Sequence, residues 1–281
     1  MIDPKVRPGE TKIQYRERII AETKAEIEAR RARLVNGELQ VVMDVDDFGF
    51  LLPGYDDLMR LKEALPNLKI TCFTIPLDKA FFGSQNAKHF KWESYKKWAK
   101  IVNNLDWVEI ALHGFAHVHG ECDINYEKAI ILLKAVENTF KRIGLEYVKL
   151  IKAPYWQMSY DFMVACKDMG YVVAIDRNHL RPVPEGLRTY IYNWSFEEAL
   201  PTNVDPIKGH GHFVGNNKNN ISDTLHSILS QLPEQTRFMF VSEYLKDHGS
   251  DTEKITKFYS REGGSSEAGF NASQGGEFEE S

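Results

Sequence analysis

A mostly parallel α/β sheet, closed as a barrel or open and doubly wound, is the fold class this sequence predicts. Two observations predict it. Between residues 39 and 247, short apolar runs alternate with amphipathic segments at helical spacing, and nearly every run ends in a residue able to do chemistry. In parallel βα folds, sites assemble at the C-terminal ends of the strands.

The elements follow in chain order. Thr11-x-x-Gln14 is a capping-box pattern that opens a charged helix over 11–34, and Glu26 precedes Arg30 at the supporting four-residue spacing. Ile13, Ile20, Ile27 and Leu34 form a narrow stripe whose intervening positions are polar, so docking on the main domain is expected rather than a coiled coil. VVMDVDDFGF (41–50) begins as a buried strand and then spends three of four positions on Asp44, Asp46 and Asp47. Aspartate is depleted in strands, so the cluster asks for a cation, a base or a helix cap.

Further strands are predicted in KITCFTIP (69–76), WVEIALHG (107–114), YVKLIKAPY (147–155), YVVAIDRN (171–178), TYIYNW (189–194), DPIKGHGHF (205–213) and RFMFVS (237–242). Helices are predicted in DDLMRLKEAL (56–65), ESYKKWAKIV (93–102), YEKAIILLKAVENTFKRI (126–143), YDFMVACKDM (160–169) and ISDTLHSILSQL (221–232). From about residue 248 the chain is rich in Gly, Ser and Glu, too poor in apolar surface to offset its ordering entropy. The expected division is therefore a helical extension (1–38), a main domain (39–247) and a disordered tail (248–281).

Composition narrows the function. With 281 residues, 43% of them hydrophobic, and a net charge of -5, there is core enough for a globular domain and no basic field for nucleic acid. No apolar run approaches the ~20 residues that span a bilayer, and the charged start carries no leader-like apolar stretch, so a cytoplasmic protein without a membrane partner is expected. Cys72, Cys122 and Cys166 are odd in number and widely spaced, as reduced thiols are, and no CxxC zinc pattern occurs.

The sharpest local signal is HGFAH (113–117). Histidines four apart lie on one side of a helical turn and can approach one metal ion together, although a strand-ending histidine plus a core histidine gives the same pattern. Asp46 and Asp47 point in different directions past their strand, so one can bind the cation while the other stays free as a base; capping a helix is their other use. Asp44, inside the strand, is assigned a structural role. His117 with His119 and Cys122 is a second, weaker grouping.

The ordered set Asp46-Asp47, His113-x-x-x-His117, Lys152-Ala-Pro-Tyr155, Asp176 and a histidine after a late strand resembles the polysaccharide deacetylase (NodB-like) family of carbohydrate esterases, over roughly residues 39–246. The resemblance implies a distorted (β/α) barrel and metal-dependent removal of acetyl groups, chiefly N-acetyl, from a carbohydrate. It implies Asp46 as general base, Asp47, His113 and His117 as ligands of one divalent ion, zinc before cobalt, nickel or manganese, and the Tyr155 backbone N–H as an oxyanion donor. The family has an arginine where Lys152 stands. That arginine orients the catalytic aspartate and pairs with an acid on a later strand, for which Asp176 is the candidate; lysine keeps the charge and loses the planar fork. Either His210 or His212 of GHGH fills the place of the general acid, with His212 nearer the strand end. Trp194 is expected to wall the sugar pocket, with a place in the core, the commoner use of a tryptophan at such a position, as its alternative. A sugar-binding or structural barrel without catalysis, or a hydrolase of another ester or amide, is the alternative, and Lys152 with the doubled histidine is what allows it.

Overall fold

The structure is a computed structural model and describes residues 7–36, 39–50, 55–76, 91–178, 180–201, 204–212 and 221–252. The chain runs α1 (Lys12–Val35), β1 (Gln40–Phe48), α2 (Tyr55–Ala64), β2 (Ile70–Thr74), α3 (Trp92–Asn103), β3 (Val108–His113), α4 (Tyr126–Ile143), β4 (Leu150–Lys152), α5 (Tyr160–Asp168) and β5 (Val172–Ile175). It continues through β6 (Thr189–Ile191), β7 (Trp194–Ser195), β8 (Ile207–His212), α6 (Ile221–Gln231), β9 (Arg237–Met239) and α7 (Val241–His248).

All strand pairs are parallel, in the order β6-β5-β4-β3-β2-β1-β8-β7. The two ends of this path are one piece of chain. β6 pairs with β5, β7 pairs with β8, and just Tyr192 and Asn193 separate them. The extended segment 189–195 therefore closes the ring of strands, and the fold is the distorted (β/α) barrel. β9 takes the start of β1 (Gln40, Val41, Val42), beside the stretch from Asp44 onward that β2 occupies.

Strand alternation sorts the core. On β1, Val41, Met43 and Val45 face the helices, in the larger cluster with Leu58, Leu61, Leu133, Val136 and Phe162. Val42 faces inward with Phe73, Ala111, Leu150, Ala174 and Tyr190. Inward too are Asp44, Asp46, Glu109, His113, Lys152, Asp176, Lys208 and His210, all buried.

Three expectations need correction. The capping box at Thr11 and Gln14 is present, but Ile13 and Ile20 are 71% and 63% exposed, so the helix docks through Leu34 at its C-terminal end and through Arg33–Asp205 (3.3 Å); the Ile27 side chain lies outside the described residues. RFMFVS is strand only to Met239, and the unforeseen α7 starts at Val241. Its first amides are taken by Thr71 Oγ1 (from Val241 N, 3.0 Å) and Glu109 Oε1 (from Ser242 N, 3.2 Å), so the helix enters the floor of the barrel capped by β2 and β3. Residues 249–252, counted with the tail, pack on β6: Asp251 N donates to Thr189 O, and Asp251 is buried against Lys208. The rest of the tail lies outside the described residues.

Candidate active site

Asp44 and Asp46 point into the barrel from β1, and Asp47, just beyond, turns at φ 59° toward the loop after β3. His113 ends β3, and its Nδ1 lies 3.1 Å from the carbonyl of Lys152. A carbonyl can only accept, so Nδ1 carries the proton and the lone pair of Nε2 faces Asp47. Oδ1 of Asp47 lies 3.4 Å from Nε2 of His113 and 3.0 Å from Nε2 of His117. That oxygen is buried and has no hydrogen-bond partner among the described residues.

These atoms converge as ligand atoms do. Three tetrahedral ligands at bonds of 2.0–2.1 Å stand about 3.3–3.4 Å apart, and the Asp47, His113 and His117 atoms all lie within 4.8 Å of one another. Burial lowers the affinity of His113 for a proton, yet the carboxylates of Asp46 and Asp47 outweigh it and hold its pKa above the ordinary value. Asp46 and Asp47 lie well below the carboxylate range: burial opposes this, the Lys152 ammonium outweighs it at Asp46, and the imidazoles of His113 and His117 do so at Asp47. Positive charge is wanted between these groups, and the residues fit a divalent cation.

Asp46, His210 and His212 also converge within 4.8 Å. Lys152 Nζ, however, stands 2.7 Å from Asp46 Oδ1 and 3.0 Å from His210 Nδ1, so a cation there would meet an ammonium. The Asp47 grouping is the better metal centre.

The rest of the site is placed as follows. Lys152 is buried between Asp44, Asp46 and His210, over the ring of Phe73 (4.0 Å). Its ion pairs go to the two β1 acids rather than to Asp176, which accepts from Tyr192 Oη (2.8 Å) and Asn178 N (3.0 Å). The ammonium is thus anchored on the strand of the aspartate it braces. His210 is buried with Nδ1 2.8 Å from Asp44, whereas the His212 side chain is 47% exposed at the mouth, its Nε2 3.6 Å from Asp46 Oδ2. Tyr155 is 53% exposed, its ring against His117 (4.9 Å) and His119 (5.4 Å).

Trp194 does not wall this pocket. It is fully buried on the outer face of β8, against Phe196 and where Gly209 leaves room: a Cβ on Gly209 would lie 2.7 Å from its ring. The closing segment turns over at Asn193, whose side chain binds Pro206 O and Lys208 N, so the inward alternation of Tyr190 and Tyr192 stops there. Trp156 stands in the pocket instead, beside Tyr192 (5.7 Å), His210 (5.3 Å) and Lys152 (5.1 Å). Cys122 is buried with its thiol pKa raised by burial, and His119 meets Gln157 (3.1 Å), so the second grouping does not form.

Sequence reasoning missed the supports. Glu121 accepts from the amides of Phe115, Ala116 and His117 (3.0, 3.0 and 3.2 Å) and so fixes the turn bearing His117. Gly114, at φ 60°, is required there, because a Cβ would lie 1.8 Å from Glu121 Oε1 and 2.7 Å from the Pro154 ring. Arg181 donates to Trp156 O (2.9 Å) and Met158 O (2.8 Å), bracing the turn Pro154–Trp156. Among the described residues the non-glycine positions with positive φ are Asp47, His117, Tyr155 and Trp156, all at this mouth. Asp44 alone was legible, two residues before Asp46 on the same strand face.

No protein-family model and no curated protein matches this chain. Similar backbones exist among solved structures. A peptidoglycan N-acetylglucosamine deacetylase is 17% identical at TM-score 0.49, over 73% of this chain and 86% of that one. A 4-alpha-glucanotransferase from Thermococcus litoralis is 11% identical at TM-score 0.49, over 76% and 41%. A CE4 family pseudoenzyme from Bacillus anthracis is 12% identical at TM-score 0.47, over 73% and 65%. At such identities and scores they carry no argument about activity, which rests on the site itself.

Proposed function

We propose that this chain is a metal-dependent hydrolase that removes acetyl groups, chiefly N-acetyl, from a carbohydrate. The observation that carries the reading is the division of labour between adjacent aspartates: Asp47 converges with His113 and His117, while Asp46 turns to Lys152. Asp47, His113 and His117 would hold one divalent ion, zinc first among the candidates, which supplies a Lewis acid for the acetyl carbonyl and for water. Asp46, kept ionised by Lys152, takes the proton of the attacking water. As charge develops on the carbonyl oxygen, the Tyr155 N–H donates to it, a contact of a kind worth about 3–4 kcal/mol of barrier. His212, half exposed and beside Asp46, delivers a proton to the departing amine; His210 is held below it by Asp44. The Tyr155 and Trp156 rings are the aromatic surfaces offered to the sugar, in a cytoplasmic setting.

Elemental mass spectrometry of the gently purified protein and of His113→Ala, with acetate release from a panel of N- and O-acetylated oligosaccharides, tests this. About one ion per chain, lost in the variant, with acetate released by the parent, is the expected result. No metal after supplementation and no acetate would leave the noncatalytic barrel. Two ions per chain would show that Asp46, His210 and His212 bind metal after all and would remove Asp46 from its role as base.

A further inference from the structure

Beneath the mouth, one level down the barrel, lies a second set of charged groups that the proposed reaction does not use. Asp44 is fully buried, and its Cα is the register partner of His210 as that of Asp46 is of His212. Its Oδ1 receives the Lys152 ammonium and lies 2.8 Å from Nδ1 of His210. Lys152 Nζ also stands 3.0 Å from that same Nδ1.

The two contacts of Nδ1 exclude one another. A carboxylate cannot donate, so the Asp44 contact is attractive when Nδ1 bears a proton; an ammonium cannot accept, so the Lys152 contact is attractive when Nδ1 is bare. The Asp44 contact is the shorter, and its acceptor is a carboxylate. Lys152 has two carboxylates to serve already. Asp44 therefore decides where the proton of His210 sits and where Lys152 points.

We infer that Asp44 is a positioning residue: it anchors Lys152 against Asp46 and holds the proton of His210 on Nδ1, leaving His212 as the histidine able to serve the leaving group. The catalytic consequence rests on the deacetylase reading; the hold on His210 does not. Asp44 thus does for Lys152 what Asp176, taken up by Tyr192, does not.

The test uses the full chain labelled with 15N-histidine, the His210 resonances being assigned by their loss in His210→Gln. In the parent, Nδ1 of His210 is expected to be protonated. In Asp44→Leu, which offers Nδ1–H no acceptor, Lys152 becomes the donor to Nδ1, and the proton moves to Nε2. The same variant should keep its metal content and its KM within about twofold while kcat falls on the order of 10²-fold, because the ammonium that braces Asp46 is no longer anchored by Asp44 and turns partly to Nδ1. A parent spectrum with Nδ1 bare overturns the inference even if Asp44→Leu fails to fold. So does an unchanged tautomer in the variant, or an unchanged kcat. If the parent releases no acetate while the tautomer switches as described, the deacetylase reading falls and the hold of Asp44 on His210 stands.

Discussion

Among the described residues two buried lysines face the inside of this barrel, and they live differently. Lys208, near the floor, pairs with Asp251 at 2.6 Å, and that carboxylate is also hydrogen-bonded by Tyr244 Oη (3.0 Å) and Ile191 N (2.9 Å). Glu109 nearby accepts from Thr71 Oγ1 (2.8 Å) and from Ser242. At the mouth, Lys152 stands among the buried carboxyls of Asp44, Asp46 and Asp47, so the acids outnumber the fixed cation. Oδ2 of Asp44 and Oδ1 of Asp47 have no hydrogen-bond partner among the described residues, and four non-glycine residues sit at positive φ. Buried polar groups are satisfied where they hold a fold together. Tyr190 Oη, beside Lys208, also lacks a hydrogen-bond partner among the described residues, so what sets the mouth apart is that its unpartnered atoms are carboxylate oxygens and its acids are in excess, and that is where positive charge can be received.

The largest effect should separate the two ends by function. Asp46→Asn is expected to keep its metal and lose on the order of 10²- to 10⁴-fold in turnover, whereas His113→Ala loses metal and turnover together. Equal metal loss in both variants would contradict the division of roles between Asp46 and Asp47. At the floor, Asp251→Ala takes the Asp251 carboxylate away from the buried Lys208 ammonium and should cost about 3–5 kcal/mol in urea unfolding. Its turnover per folded molecule should stay near the parent value, and a selective loss of turnover would mean that floor and mouth are coupled.

What could be read without the structure follows the same line. Strand alternation and the βα rhythm depend on neighbours in sequence, so the strands, six of the helices and the convergence of Asp46, Asp47, His113 and His117 were legible. Features set by crossing chain were not. Trp194 lost its inward face because the closing segment turns over at Asn193, and α7 was hidden because its amides are capped by β2 and β3 rather than by a local side chain. The partner of Lys152 was misread for a related reason: closure of the barrel brings the β4 lysine to the acids of β1, a strand it does not pair with, and no spacing encodes which acid an ammonium will choose.

A pH series should give the two ends opposite signs. Asp46 has its pKa lowered in the fold, so its contribution to stability is present above the ordinary carboxylate value near 3.9 and is lost as pH falls through its folded value. Glu109 has its pKa raised, first by burial, so the folded state binds the proton more tightly and its contribution fades as pH rises from about 4.3 through the raised value. Unfolding free energies of metal-free protein against Asp46→Asn and Glu109→Gln would show the parent's advantage over the first growing with pH and over the second shrinking. Slopes of the same sign would undo the contrast.

Glu121→Gln probes the support of the mouth with a smaller effect. Three amides lose their carboxylate, the turn bearing His117 loosens, and metal affinity should fall about 10- to 100-fold in competition with a chelator, with Asp46 untouched. Unchanged affinity would mean that the turn is held by Gly114 and the Pro154 ring alone.

The smallest effect isolates burial from distance. Lys69 and Glu243 stand 2.6 Å apart, the same separation as Lys208 and Asp251, but each side chain is 39% exposed rather than 2%. If contact alone mattered, Lys69→Ala would cost as much as breaking the floor pair. Water already solvates both Lys69 and Glu243, and Glu243 keeps its bond from Phe240 N (3.0 Å), so less than about 1 kcal/mol is expected in the same urea titration. A loss as large as that of Asp251→Ala would show that α7 is held on the barrel from outside, and that the buried charges beneath it are not what fastens the floor.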